Sequence, residues 1–273
     1  MKIGATIQLL SFEMGLACNL SHLHPRCPNT LGAERYAGLP QERKLSVEAI
    51  ISTLLIFYND YDFRGWVGFS FYNEPMLEKD SLLHLVATAK YFMPDLKFML
   101  TTNGTRLPED VSPFGIFDWI GVTNYGGEHA PDSKKLDALR SIIGVGRTIN
   151  REPRGLFVSK GRLDHRMRDL GPERAERACV YPFQDFAIDV FGNCHLCCFD
   201  WRGRVHIGNV FIDGVSMCLM RWEEIVRSIS GNYMSEEAPE TCRRCWMTHF
   251  QRLALLDATA RKNAKMWLRE VHR

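Results

Sequence analysis

Residues 179–245 hold seven of the chain's nine cysteines, and two pairs among them, Cys194 with Cys197 and Cys242 with Cys245, have the Cys-x-x-Cys spacing. That spacing lets one turn offer two thiolates to a single centre, which apolar packing alone does not require. The stretch begins at Cys179-Val-Tyr-Pro and continues through Asp189-Val-Phe-Gly-Asn-Cys194-His-Leu-Cys197-Cys198-Phe-Asp200. It closes at Cys242-Arg-Arg-Cys245. An odd number of cysteines, and a start at Met1-Lys2 without a signal-peptide pattern, speak against a disulfide framework. The expectation is a soluble, cytoplasmic chain whose cysteines are thiols and metal ligands.

Charge narrows the partners. With 34 basic and 32 acidic residues the net charge is +2, without the basic excess that marks nucleic-acid binding. No apolar run reaches membrane-spanning length. Neither nucleic acid nor membrane is therefore expected as a partner.

Ahead of the cysteines the pattern alternates. Strands are expected over 3–10, 66–72, 96–100, 117–123 and 155–159. Between them lie helices, with Val47, Ile50, Ile51, Leu54, Leu55 and Tyr58 on one face, then Leu82, Leu85, Val86 and Ala89, and a further helix over 133–142. Strands alternating with helices require crossovers and so a parallel sheet, whose loops at the carboxyl ends of the strands carry the site. Asn73-Glu74-Pro75, Thr102-Asn103-Gly104-Thr105, Asn124-Tyr125-Gly126 and Lys160-Gly161-Arg162 all follow expected strands. After residue 170 the pattern changes to a hairpin turned at Phe191-Gly192-Asn193, a short strand over 205–210, a helix over 220–229 and a basic helix over 250–271.

Two metal readings fit the thiolates. Zinc would take Cys194, Cys197, Cys242 and Cys245 as a ribbon-like set. A [4Fe–4S] cluster would take Cys179, Cys197, Cys242 and Cys245.

The spacing Cys179-x12-Gly192-x4-Cys197 followed by Cys242-x-x-Cys245 resembles the C-terminal twitch, the shortened SPASM domain of radical S-adenosylmethionine (SAM) enzymes. Cys179-x-x-Pro182, Ile188-Asp189, Cys197-Cys198-x-Asp200 and Ile207-Gly208-Asn209-Val210 carry the same likeness. Asn73-Glu74-Pro75 resembles the family's Gly-Gly-Glu-Pro motif at the SAM amino group, and Thr102-Asn103-Gly104 its Thr-Asn-Gly turn. The resemblance implies a partial (β/α)6 TIM-type barrel over 1–170, an α+β twitch/SPASM-like domain over 171–249 and a C-terminal helix over 250–273. It favours iron over zinc, with Cys179, Cys197, Cys242 and Cys245 on an auxiliary cluster.

One motif departs from the family. The catalytic cluster there sits on Cys-x3-Cys-x2-Cys, whereas this chain has Cys18-Asn-Leu-Ser-His22-Leu-His24-Pro-Arg-Cys27-Pro. Cys18 and Cys27 with His22 or His24 is one expected ligand set, since imidazole replaces thiolate on iron in Rieske centres. A thiolate from Cys198 or Cys218 is a second, and loss of the catalytic cluster is a third.

The resemblance implies [4Fe–4S] clusters and SAM as cofactors, a small-molecule substrate, and an external electron donor such as flavodoxin or ferredoxin. The activity it implies is a radical oxidoreductase, for example alcohol to ketone on a natural-product intermediate. Hydrogen abstraction by a 5′-deoxyadenosyl radical is followed by electron transfer to the auxiliary cluster, and Arg162, after the last barrel strand, contacts the substrate hydroxyl. Peptide modification, epimerisation and a non-catalytic relative binding one cluster or zinc are the alternatives; no leader-binding segment precedes the first strand.

Overall fold

Strands β1 (Leu9–Phe12), β2 (Trp66–Gly68), β3 (Lys97–Thr102), β4 (Trp119–Asn124), β5 (Gly155–Lys160), β6 (Asp185–Ile188) and β7 (Cys194–His195) share one sheet in the order β5-β4-β3-β2-β1-β6-β7. All neighbours are parallel except the antiparallel β6–β7 hairpin. The computed structural model describes residues 7–23, 42–144, 155–160, 181–198, 200, 202–231 and 238–243. His24, Cys27, Arg162, Cys179, Cys245 and the expected helix over 250–271 lie outside the described residues.

Period-two burial sets the register of the strands. Phe98, Leu100 and Thr102 of β3 are buried, while Lys97, Met99 and Thr101 between them are half-buried. Three crossovers run through α-helices, α1 (Val47–Asp60), α2 (Lys79–Phe92) and α3 (Ser133–Ile143), and the one from β3 to β4 through the 3-10 turn Ser112–Ile116. Ser46 caps α1 by accepting the Ala49 N–H at 3.1 Å, and Asp132 caps α3 by accepting the Lys134 N–H at 2.7 Å. Helix α2 buries Leu82, Leu85, Val86 and Ala89, the face expected from their spacing.

The sixth parallel strand comes from beyond residue 170. β6 pairs with β1 from Leu9↔Asp185 to Phe12↔Ile188, on the side opposite β2. Its Phe186 is fully buried, 5.6 Å from the Phe57 ring of α1 and 6.2 Å from the Trp222 ring of α4 (Val215–Gly231). Burying rings of this size contributes about 1.5–3 kcal/mol each. The hairpin that leads into Cys197 is thus continuous with the main sheet.

Several strand bounds shift, the expected 66–72 shortening to Trp66–Gly68. The first strand is Leu9–Phe12, toward the C-terminal end of the expected 3–10, because Leu10 and Phe12 are the fully buried pair that β2 and β6 flank. Residues 205–210 make one bridge, Asn193 to Asn209, in place of a strand. Gly208 there has φ +128 and the Asn209 side chain takes up neighbouring backbone groups, so the segment bends. A four-residue helix α5 (Glu240–Arg243) carries Cys242. Among the described residues no helix is long and apolar enough to cross a membrane.

Candidate functional site

A cleft of about 200 Å³ opens where the carboxyl ends of β1 to β4 meet. Its walls include Cys18, Tyr72, Asn73, Glu74, Thr102 and Asn103, so five of the expected site residues converge on one place. Pro75 is buried behind them, opening the 3-10 turn Pro75–Glu78. Gly104 stands at φ +75, and a Cβ there would lie 2.7 Å from Val122 and 2.8 Å from Pro131, so the Thr-Asn-Gly turn admits only glycine.

Glu74 ties the strand ends together. One carboxylate oxygen accepts the Met76 N–H at 3.0 Å and the Thr102 hydroxyl at 2.6 Å; the other accepts the Asn103 N–H at 2.8 Å. Burial at 3% exposure pushes this carboxyl above the ordinary glutamate range, and the three donors pull against that shift. Both of its oxygens therefore face protein donors.

The cysteine loop after β1 is held to the same frame. The Glu74 N–H donates to the Ala17 carbonyl at 2.9 Å, and Asn19 joins Asn103 at 2.9 Å and Thr105 at 2.8 Å. Asn73 Nδ2 is a buried donor with no hydrogen-bond partner among the described residues. An orphaned donor beside a half-buried thiol fits a ligand that carries acceptors and sits against a thiolate-held metal. A donor and a thiol on one wall suit the chemistry that SAM and an iron–sulfur cluster would require.

His22 lies apart from that wall. It is exposed on the 3-10 turn Ser21–Leu23, whose Ser21 N–H donates to the Cys18 carbonyl at 3.1 Å. Among the described residues no three His, Cys, Asp or Glu side chains gather as a metal centre.

The second cysteine region is organised by two buried polar residues. Asp189 accepts the Phe191 and Asn193 N–H groups, each at 2.9 Å, and lies 3.1 Å from His195 Nε2. Asn209 donates to the Phe191 carbonyl at 2.9 Å and to Asn193 Oδ1 at 3.0 Å, and accepts the Phe211 N–H at 2.9 Å. Between them Gly192 adopts φ +88, where a Cβ would lie 2.2 Å from the Phe211 ring. Asp200 accepts the Arg204 N–H at 2.9 Å, closing the loop after Cys197. Cys197 and Cys242 are buried thiols, a residue type suited to an iron–sulfur cluster.

The cysteines left over find a different use. Cys194 on β7 and Cys218 on α4 are buried and hydrogen-bonded to one another; burial pushes the Cys194 thiol well up and keeps it protonated. Cys218 is not among the residues that line the cleft.

Sequence reasoning missed Asn19, Thr105 and Tyr72. Tyr72 lines the cleft while its hydroxyl donates to the Cys198 carbonyl, and the adjacent Phe71 ring lies 5.1 Å from that of His195. Their only signal was position, next to Cys18, Gly104 and Asn73 in the chain.

Residues 179–246 match the SPASM model, an iron–sulfur cluster-binding domain. The chain is 24% identical over 210 residues to the S-adenosyl-L-methionine-dependent 2-deoxy-scyllo-inosamine dehydrogenase of Niallia circulans, covering 74% of this chain and 78% of that one. Its fold is similar to the crystal structure of BtrN in complex with AdoMet and 2-DOIA, with a TM-score of 0.62 at 19% identity over 86% of this chain and 92% of the other. It is also similar to hexahistidine-tagged anSMEcpe with bound AdoMet, with a TM-score of 0.53 at 12% identity over 97% of this chain and 93% of the other.

Proposed function

The chain is a relative of the radical SAM enzymes with a SPASM-type region at its C-terminal end, and from that premise we propose that it is an oxidoreductase acting on a small molecule. The observation that supports this best is the convergence of Cys18, Asn73, Thr102 and Asn103 on one cleft, with Tyr72 connecting it to the loop of Cys197 and Cys198.

In this reading residues 1–170 bind SAM, residues 171–249 hold the auxiliary centre and residues 250–273 form a terminal helix. Cys18 and Cys27, with His22 or His24 as the third ligand, hold the catalytic cluster. Cys179, Cys197, Cys242 and Cys245 hold the auxiliary one. When bound, SAM and the two [4Fe–4S] clusters supply a radical that removes a hydrogen atom from carbon and an acceptor for the electron left behind. Asn73, Glu74 and Pro75 shape the pocket for the SAM amino group, and Asn73 Nδ2 meets an acceptor of the bound molecule. Thr102, Asn103 and Gly104 form the opposite wall. Arg162 contacts the substrate hydroxyl. The related dehydrogenase structure holds the small molecule 2-DOIA, which favours a small substrate over a peptide. A flavodoxin or ferredoxin supplies the first electron.

Anaerobic reconstitution tests the reading. About eight irons per chain, with 5′-deoxyadenosine released from SAM, support it. The departure of Cys18-Asn-Leu-Ser-His22 from the Cys-x3-Cys-x2-Cys pattern favours a second reading, a non-catalytic relative with one cluster. About four irons and intact SAM would establish that alternative. Zinc without iron overturns both.

A further inference from the structure

The backbone after β2 sends neighbouring side chains to different partners. Asn73 Oδ1 accepts the Phe71 N–H at 3.3 Å, which folds the segment back on itself. Beyond that turn, Glu74 holds the β1 and β3 loops. Before it, Phe71 and Tyr72 stack against each other at 4.4 Å and reach the cysteine loop, Phe71 beside His195 and Tyr72 bonded to the Cys198 carbonyl. Tyr72 also lines the cleft beside Cys18 and Asn73. One side chain thus touches both regions that carry proposed cluster ligands.

We propose that Tyr72 is a positioning residue shared by the two centres. Its ring walls the cleft, and its hydroxyl fixes the peptide carbonyl of Cys198, one residue from the ligand Cys197. The inference rests on the reading of Cys197 as an auxiliary-cluster ligand. Reduction adds negative charge to a cluster, and hydrogen bonds around its ligands stabilise that charge and raise the potential. A phenolic O–H that draws density from the adjoining peptide acts in the same direction. The link spans 126 residues of chain, so it also fixes the cysteine loop against the cleft in a way no local turn does.

Redox titration followed by electron paramagnetic resonance (EPR), on the full chain reconstituted anaerobically, tests the proposal. Tyr72→Phe keeps the ring and removes only the hydroxyl. The expected result is an auxiliary-cluster potential more negative than wild type, with an altered line shape, at unchanged iron and sulfide. Fluorinated tyrosine incorporated at position 72 keeps the hydroxyl as a stronger donor, and is expected to move the potential the opposite way. Identical potentials in all three proteins overturn the proposal. If Tyr72→Phe loses auxiliary iron, the fluorinated protein decides: a positive shift upholds the proposal and an unmoved potential overturns it. Absence of the auxiliary cluster from the wild type is read directly from its iron content, and removes the functional reading and this inference together.

Discussion

Glu74 and Asn103 are joined by a 2.8 Å hydrogen bond from the Asn103 backbone N–H to the Glu74 carboxylate, across 29 residues of chain. The bond makes one buried group serve the ends of two adjacent strands. Thr102 adds its hydroxyl at 2.6 Å because the face of β3 that buries Phe98 and Leu100 also turns Thr102 inward. The cleft wall is therefore an extension of the core.

Replacing Glu74 by Gln sets an amide N–H against the Asn103 N–H or against the donors on the other oxygen. A buried donor left unmet costs about 1–3 kcal/mol, so Glu74→Gln is expected to unfold at lower urea by that amount. The pH dependence has a definite sign. Burial raises the folded-state value of this carboxyl, so the native chain holds a proton where the unfolded chain has lost it. Glu74 then contributes stability that is present below the ordinary glutamate value and is lost as pH rises through the raised one. The gap between wild type and Glu74→Gln narrows across that window, as urea midpoints at stepped pH will register.

Gly192→Ala meets two penalties at once, a positive φ of +88 and a Phe211 ring 2.2 Å from the new methyl. Together they are expected to cost about 2–4 kcal/mol. Phe211→Ala in the same chain removes the ring clash and leaves the backbone strain and the 2.9 Å approach to Asn209 Oδ1. The double variant should therefore recover part of the loss in a denaturant cycle, with a non-additive remainder.

Asn209→Ala removes both amide donors and the acceptor for Phe211 in one step. A loss of about 2–4 kcal/mol is expected. The turn 189–193 loosens with it, so auxiliary iron retained after gel filtration should fall below that of wild type.

Legibility in the sequence followed the physics of each element. The crossover helices were readable because a helix with one buried face repeats its apolar residues at 3.6, as α2 does from Leu82 to Ala89. Positions in the cleft were readable where residue type and strand end coincide, at Asn73-Glu74-Pro75 and Thr102-Asn103-Gly104. What stayed hidden depends on pairing at long range. Nothing in Asp185–Ile188 says that it pairs with β1, since a short apolar run fits any buried edge. Asn19 and Tyr72 act through partners 84 and 126 residues away, and a polar residue in a loop carries no mark of such a partner.

Iron content of cysteine variants separates the ligand sets. Cys194 keeps its proton under burial and shares it with Cys218, so it is a poor thiolate donor. Cys194→Ala is expected to keep about eight irons per chain, with at most a small fall in stability from the lost volume. Cys18→Ala is expected to retain about four, because the auxiliary set lies elsewhere in the chain. Cys197→Ala should also retain about four, but with release of 5′-deoxyadenosine continuing where Cys18→Ala has none. If Cys194→Ala loses iron as Cys197→Ala does, the zinc-ribbon pairing of Cys194 with Cys197 describes the centre better than the set built on Cys179.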